Sequence, residues 1–402
     1  MAITRETVAT TDINDAREVK DMSEKILLLD PQRTPFLVFS KKLGKVPAHQ
    51  MRFNWQEDEI IGHRSAVASG ETVTLTAGSE SNVIEVTDPE IFNEGQMILI
   101  EDTGVRAYVS DAEESEANHI KIIPGFDEND TADDIAGDEV IQIVGTADAE
   151  GNGTMPENRK QIEERYNYLQ QFKKNFSMTD IAQAQKTYGN QSDWGYLRTK
   201  KGIEHNEDIE RALLFGGRSK RTNSNIGDNP IWTTRGVFNS ITTNVETLGS
   251  STALTESAFN EFLKDKAFAH GNSKKTLFAS KTLAHQLSEF AKDSVRIKSG
   301  KNKRFGVHVD TYDSTLGSTL DVVVHEFLEG STYGQAGVVL DMETVNLRYL
   351  QGEGGESFDT KLLVDIIQDG VHKQTDEYFS VLGLELKQEK RHAVIKNTLD
   401  NS

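Results

Sequence analysis

The sequence predicts an α+β fold with a small all-β module set inside it. Three observations predict it. Residues 71–147 break into short β runs, "TVTLTA", "NVIEV", "QMILIE", "RAYVSD", "HIKIIP" and "EVIQIVG", separated by Gly, Asp, Asn or Pro clusters. That is the pattern of a small sandwich or barrel. Two stretches of period-two alternation flank this module, "HQMRFNWQED" before it and "YNYLQQFKKNFSMTD" after it. From residue 254 onward helical and strand patterns interleave, as in an α+β sheet domain.

The totals suit a soluble globular chain of 402 residues, with 36% hydrophobic and 27% charged residues. No window of eighteen apolar residues exists, so no membrane span is expected. The polar start "MAITRETVATTDINDAREVK" shows no secretory signal. Cysteine is absent, which removes disulfides, thiolate metal sites and thiol catalysis and fits synthesis in the cytosol. The net charge of −20 is concentrated: residues 71–150 hold 21 acidic side chains against Arg106 and Lys121, a net of −19. That module repels nucleic acid and reads as a solvated surface.

Taken in order, residues 1–45 read as an arm followed by short helical pieces, with Pro31 and Pro35 stopping the helical run "NDAREVKDMSEKILLL". Met51, Phe53 and Trp55 share one side of the first alternating strand. Tyr166, Tyr168, Phe172, Phe176 and Met178 share one side of the second, interrupted by Lys174; its other side is polar apart from Leu169. A strand over 166–180 would extend roughly 50 Å at about 3.3 Å per residue. The two strands are expected to pair antiparallel as a long hairpin carrying the module. Such a hairpin is marginal alone, so neighbouring subunits are expected to cover its aromatic face.

"NQSDWGYLRTKKGIEHNEDIERALLFGG" predicts a helix over 192–215, capped by Ser192 or Asp193 and closed by Gly216–Gly217. Its apolar residues Trp194, Leu197, Ile203, Ile209, Leu213 and Leu214 are sparse, as in a strut wet on most sides. "LTESAFNEFLKDKAFAHGN" is an amphipathic helix stopped by Gly271, and "KTLAHQLSEFAKD" is another. "KTLFAS", "GVHVDTYDS", "DVVVHEF" and "AGVVLD" are strands, and the tail from 376 alternates and ends as a strand.

Chemistry is sparse. His325–Glu326 lacks the second ligand of HExxH. "FDENDTADDIAGDE" has the composition of a calcium loop, but Ala132 stands where glycine is needed and Asp138 where glutamate is. "KSGKNKR" is no phosphate-cradling loop. Arg296, Lys298, Lys301, Lys303 and Arg304 form a basic cluster with two readings: a solvated loop, or a contact with acidic neighbours or packaged nucleic acid. "GGRSKRTNSN" at 216–225 has the same two readings. No catalytic, cofactor-binding or metal-binding residues emerge, which favours a structural role.

The segments "DPQRTPFLVF", "MRFNWQED", 166–180, "TYGNQSDWGYLRTKKGIEHNEDIERALLFGG", "RGVFNSITTNV", "LTESAFNEFL", "FGVHVDTYDSTLG" and "GVVLDMETVNLRYLQ" follow in order. Together they resemble, over essentially the full length, the major capsid proteins of tailed bacteriophages with the Hong Kong 97 fold, of the podophage major head protein type. The resemblance implies an N-terminal arm (1–45), an extended-loop hairpin (46–70 with 151–182), an inserted acidic β module (71–150), a peripheral domain (183–225 with 336–402) and an axial domain (226–335). Residues 192–215 would be the spine helix. It implies a protein that is no enzyme, assembles in the host cytoplasm, and forms the hexamers and pentamers of an icosahedral or prolate virion shell around double-stranded DNA. Met51, Phe53, Trp55, Tyr168, Phe172, Phe176 and Met178 would be subunit contacts. Other implied partners are a separate scaffolding protein, a portal, minor capsid proteins, and DNA contacted without sequence specificity. Some relatives crosslink an extended-loop lysine to a neighbour, but no lysine lies between Lys45 and Lys121. The competing readings are a tail or decoration component, or a ligand-binding protein using the β module.

Overall fold

Alternation from Gln170 to Thr179 places Phe172 and Phe176 on one buried face of a strand, and the larger of two units is built around that face. The computed structural model describes residues 33–79, 82–112, 118–126, 134–151, 157–185, 193–223, 227–248, 254–290, 297–298, 303–304, 307–308, 310–313, 317–366 and 371–397. The chain divides into Met1–Trp55 with Arg165–Ser402, and Gln56–Glu164.

In the larger unit, Gln170–Thr179 pairs antiparallel with the long strand Lys373–Leu386, from Gln170↔Leu382 to Thr179↔Lys373. Lys373–Leu386 also pairs with Val345–Leu350, which in turn takes Lys45–Ala48 in parallel. Lys361–Leu363 adds a short fifth strand on the long one. The helix Asp193–Phe215 covers this sheet through a stripe of Trp194, His205, Ile209, Glu210, Leu213 and Leu214. Phe176 meets Trp194 on that helix at 5.1 Å between ring centroids. A core of Phe36, Phe39, Phe172, Ile209, Leu213, Phe278, Val338, Leu347 and Leu384 then joins sheet, long helix and the short helix Pro35–Leu43. Pro35 opens that short helix, where its missing N–H and fixed φ are favourable. Pro35 was expected only to stop helix; it also starts one.

A second, seven-stranded sheet runs in the order Val245–Leu248, Ala393–Asn397, Gly337–Leu340, Lys274–Ala279, Thr319–Val324, Asp310–Asp313, Ile297–Lys298. It is mixed: Lys274–Ala279 lies parallel to Thr319–Val324 and antiparallel to Gly337–Leu340. The helices Glu256–Phe262 and Lys281–Phe290 close one face of it over Phe259, Phe262, Leu277, Leu283, Leu287 and Leu320. The helical stretch continues to Ala267 and ends four residues before the expected Gly271, whose φ of +86° suits a residue without Cβ in the following turn.

The smaller unit is a six-stranded antiparallel sheet in the order Arg64–Ala66, Val140–Thr146, Gln96–Ile100, Arg106–Asp111, His119–Pro124, Asn82–Glu85. Ile84, Ile98, Ile100, Ala107, Val109, Ile120, Ile122, Ile135 and Ile141 fill its own core. Each predicted β run contains a strand, and "RAYVSD" and "HIKIIP" coincide with theirs. The unit is wider than the 71–150 read from charge, because Arg64–Ala66 pairs with Val140, Ile141 and Gln142.

The single strand expected over 166–180 is two strands. Glu163–Tyr168 pairs with Arg52–Glu57 as a two-stranded ribbon, and Gln170–Thr179 belongs to the five-stranded sheet. The change of partner falls at Leu169, whose N–H donates to the Met51 carbonyl at 2.8 Å. Its side chain is fully buried with Ala48, Phe53 and Val381. Residues 1–32 of the expected arm, residues 127–133 of the acidic loop, Ser192, Arg296 and Lys301 lie outside the described residues.

Candidate functional site

The expected contact residues lie on the ribbon, so the site begins with the ribbon and what anchors it. Phe53 points inward from the outgoing strand, and Trp55 lies two residues on with its ring centroid 6.0 Å away. Gly383 in the long strand admits this packing. A Cβ there would stand 2.7 Å from the Tyr168 carbonyl and 3.0 Å from the Phe53 ring. Asn167, buried on the return strand, accepts from the Tyr168 and Arg235 N–H groups at 2.8 and 2.9 Å. Its amide donates to the Leu384 carbonyl at 2.7 Å. One side chain thus fastens the return strand to the sheet and to the loop at Thr234–Arg235.

These anchors correct part of the expected contact surface. Phe53, Phe172 and Phe176 are at most 7% exposed, and their cover comes from their own chain. The reason is topological: Phe172 and Phe176 lie on a strand hydrogen-bonded into the central sheet under a 23-residue helix, and Phe53 packs with Ala48, Leu169 and Val381. Lys174, the apparent flaw in the apolar side, reaches that helix and pairs with Asp208 at 2.7 Å and Glu204 at 3.8 Å. Met51, Trp55, Tyr168 and Met178 are only half buried. Of the basic cluster, Lys298, Lys303 and Arg304 lie on short rungs, Lys298 opposite Thr311 and Lys303–Arg304 opposite Val307–His308.

Sequence reading missed the buried charges that tie these elements together. Glu210 on the long helix is fully buried and accepts from the Phe36 and Leu37 N–H groups at 2.8 and 2.6 Å. Those are first-turn donors of Pro35–Leu43, which have no partner inside their own helix, and a carboxylate there also suits the helix dipole. His325 Nε2 stands 2.6 Å from the same carboxylate, so the HExxH-like pair is structural. Glu385 is held by Arg348 through two bonds of 3.0 and 2.7 Å, and Asp376 by Arg198 at 2.5 Å. A carboxylate is costly to bury unless hydrogen-bonded partners surround it in this way.

The titrating groups are likewise enclosed. Burial holds His392 down to about 4, and His205 to about 4 with Lys41 repelling its cation. Burial lowers Lys275 to about 8, while its ammonium donates to the Ala267, His270 and Arg391 carbonyls at 2.5–2.7 Å. Among the described residues no three or more His, Asp or Glu side chains are grouped to hold a metal ion. None of their helices is long and apolar enough to cross a membrane. Every buried titratable group named here is engaged in joining elements.

A family model described as the SU10 major capsid protein matches residues 3–399. The chain belongs to that family: it is a phage major capsid protein, a virion shell component and not an enzyme. No curated protein matches it. Among solved structures it is similar to the capsid of a native GTA particle (7% identity, 98% of this chain and 99% of that chain, TM-score 0.49). Chains from Mycobacterium phage Adephagia (8%, 99% and 100%, TM-score 0.49) and Microbacterium phage Oxtober96 (11%, 98% and 100%, TM-score 0.47) are also similar. The assignment rests on the family match, not on these distant likenesses.

Proposed function

We propose that copies of this chain form the hexamers and pentamers of an icosahedral or prolate shell around double-stranded DNA. The match to a major capsid family over residues 3–399 carries this reading. In it, residues 1–45 are the arm, the ribbon and its flanks are the extended loop, and Asp193–Phe215 is the spine helix of the peripheral domain. Residues 226–335 form most of the axial domain, and the acidic unit is an insertion in the extended loop. A separate scaffolding protein, a portal and minor capsid proteins act alongside it, and DNA is contacted without sequence specificity. Assembly takes place in the host cytoplasm.

The half-buried Met51, Trp55, Tyr168 and Met178 are the apolar subunit contacts. A two-stranded ribbon is marginal alone in water, and surface left on its aromatic side chains supplies the area that a neighbour covers. Individually modest contacts suffice because a closed lattice multiplies them. Electron microscopy of the chain expressed with its cognate scaffold tests this. Closed shells made mostly of this chain are expected. A chain that stays monomeric with its scaffold, or enters purified particles only as a minor component, refutes it.

A further inference from the structure

The root of the ribbon carries a group of cations that, among the described residues, form no ion pair. The hairpin Ser219–Asn223 with Gly227–Thr233 sets Lys220 opposite Trp232, and the Lys220 ammonium lies 4.5 Å from that ring centroid. Trp232 meets Tyr168 edge-on at 4.9 Å. Next along the return strand, the Tyr166 ring has the Arg52 guanidinium at 4.1 Å and that of Arg218 at 3.9 Å. Two guanidinium groups at such distances cannot share one face of a ring, so they take opposite faces. Arg218 also donates to the Tyr166 carbonyl at 2.8 Å. Arg235 is half-buried beside them; burial and repulsion from Arg218 and Arg165 lower its pKa against the pull of Glu389.

Among the described residues, Arg52, Arg218, Lys220, Arg221 and Arg235 make no ion pair. Elsewhere the same unit pairs its surface cations readily, as Lys174 with Asp208, Arg211 with Asp208 and Lys266 with Glu246. Arg52, Arg218 and Lys220 hold their charges against aromatic rings. Arg52 also donates to Asn54 Oδ1 and Arg235 to the Asn239 carbonyl, and each guanidinium keeps further N–H donors for carboxylate contacts.

We infer that this basic-aromatic patch docks the acidic face of the β module of a second copy. The inference rests on the shell reading above. It follows from the charge arrangement: 71–150 carries −19, so the other 322 residues sum to about −1. A lattice of such copies repels itself wherever modules come within about 8 Å, the screening length at physiological salt. A concentrated cationic surface is the complement that turns this charge into attraction. The patch also adjoins Tyr168 and Met51, the proposed apolar contacts, so both would belong to one interface. Nucleic acid is disfavoured as occupant because guanidinium groups cover both faces of Tyr166 and Lys220 lies over Trp232. Base stacking needs open rings.

The absence of cysteine makes a direct test possible. Lys220→Cys introduces a unique thiol, labelled with a benzophenone maleimide before co-assembly of 14N and 15N copies with scaffold. Mixed-isotope crosslinks between the peptide containing position 220 and peptides within 71–150 are expected. Crosslinks that are only same-isotope, that land on DNA, or that land outside 71–150 overturn the inference. In a second arm, Lys220→Glu with Arg221→Glu alters two exposed side chains that make no hydrogen bond among the described residues. Assembly followed by light scattering should slow by about tenfold while the melting of the unassembled subunit is unchanged; unaltered assembly overturns the inference. Unmodified chain assembled in parallel reports on the shell reading separately, since its failure to form particles would refute that reading and not the docking.

Discussion

Glu210→Ala removes a side chain that serves three partners. Its carboxylate accepts from the Phe36 and Leu37 N–H groups and sits 2.6 Å from His325. Losing a helix N-terminal acceptor costs about 1–2 kcal/mol. Leaving His325 and a backbone donor buried without partners adds about 1–3 kcal/mol. Both sites are fully buried, so water does not compensate. The expected loss is therefore about 4 kcal/mol, within the roughly 3–5 kcal/mol typical of breaking a buried pair. The larger unit has about 290 residues, and at about 2.1 cal/mol/K per residue its unfolding entropy is about 0.6 kcal/mol/K. The melting temperature of the unassembled subunit should fall by about 7 °C. Glu210→Gln keeps one acceptor and should lose about half as much. In a double-mutant cycle by urea unfolding, Glu210→Ala and His325→Ala should be strongly non-additive. Additive losses, or a Glu210→Ala subunit melting within 2 °C of the parent, would refute the clamp.

Leu169→Ala empties a fully buried position where the chain changes sheets, and should cost about 3 kcal/mol by urea unfolding; a loss below about 1 kcal/mol would mean that the switch is set elsewhere. His392 gives a pH dependence. Its folded pKa of about 4 lies below its unfolded value of 6.5, so the unfolded chain binds the extra proton. Its contribution is fully present above pH 6.5 and is lost as pH falls toward 4, up to about 3 kcal/mol. The urea midpoint should drop over that window, and His392→Gln should flatten the slope; an unchanged slope counts against it. Deleting 58–162 and joining the ribbon strands by a short turn should leave the larger unit folded, since its cores contain no residue of the smaller unit. An insoluble product with no cooperative melt would contradict this.

Much of the fold was legible because its signals are local. Residues 106–111 and 119–124 alternate strictly between turn residues, and strands form there because one face alone is apolar. The long helix was legible from its ends: it begins at Asp193 and stops at Phe215, immediately before the predicted Gly216–Gly217. What could not be read depends on distant pairing. Period-two alternation runs from Tyr166 to Met178 without a phase change, Lys174 notwithstanding, so period alone cannot show that 163–168 and 170–179 pair with different strands. Leu169 on the polar side was the one local sign. Glu210 and His325 are 115 residues apart, and no spacing rule joins them. A signal existed here too: Glu210 falls four residues before Leu214 on the apolar stripe, where an acidic residue needs an internal partner.

The contact residues show where the sequence argument overreached and what replaces it. Aromatic alternation says that a face is covered, but not by which chain. Once Phe53, Phe172 and Phe176 are buried intramolecularly, the expected set of ribbon contacts shrinks to parts of Met51, Trp55, Tyr168 and Met178. That is little area for a subunit contact, so charge has to carry more of the specificity. The ribbon's other ring, Tyr166, is already enclosed by Arg52 and Arg218 and has no face to offer. What the ribbon root presents outward is therefore guanidinium edge more than aromatic face. Steering and register between copies would then depend on salt, with assembly faster at low ionic strength, whereas a purely aromatic contact would leave assembly indifferent to it.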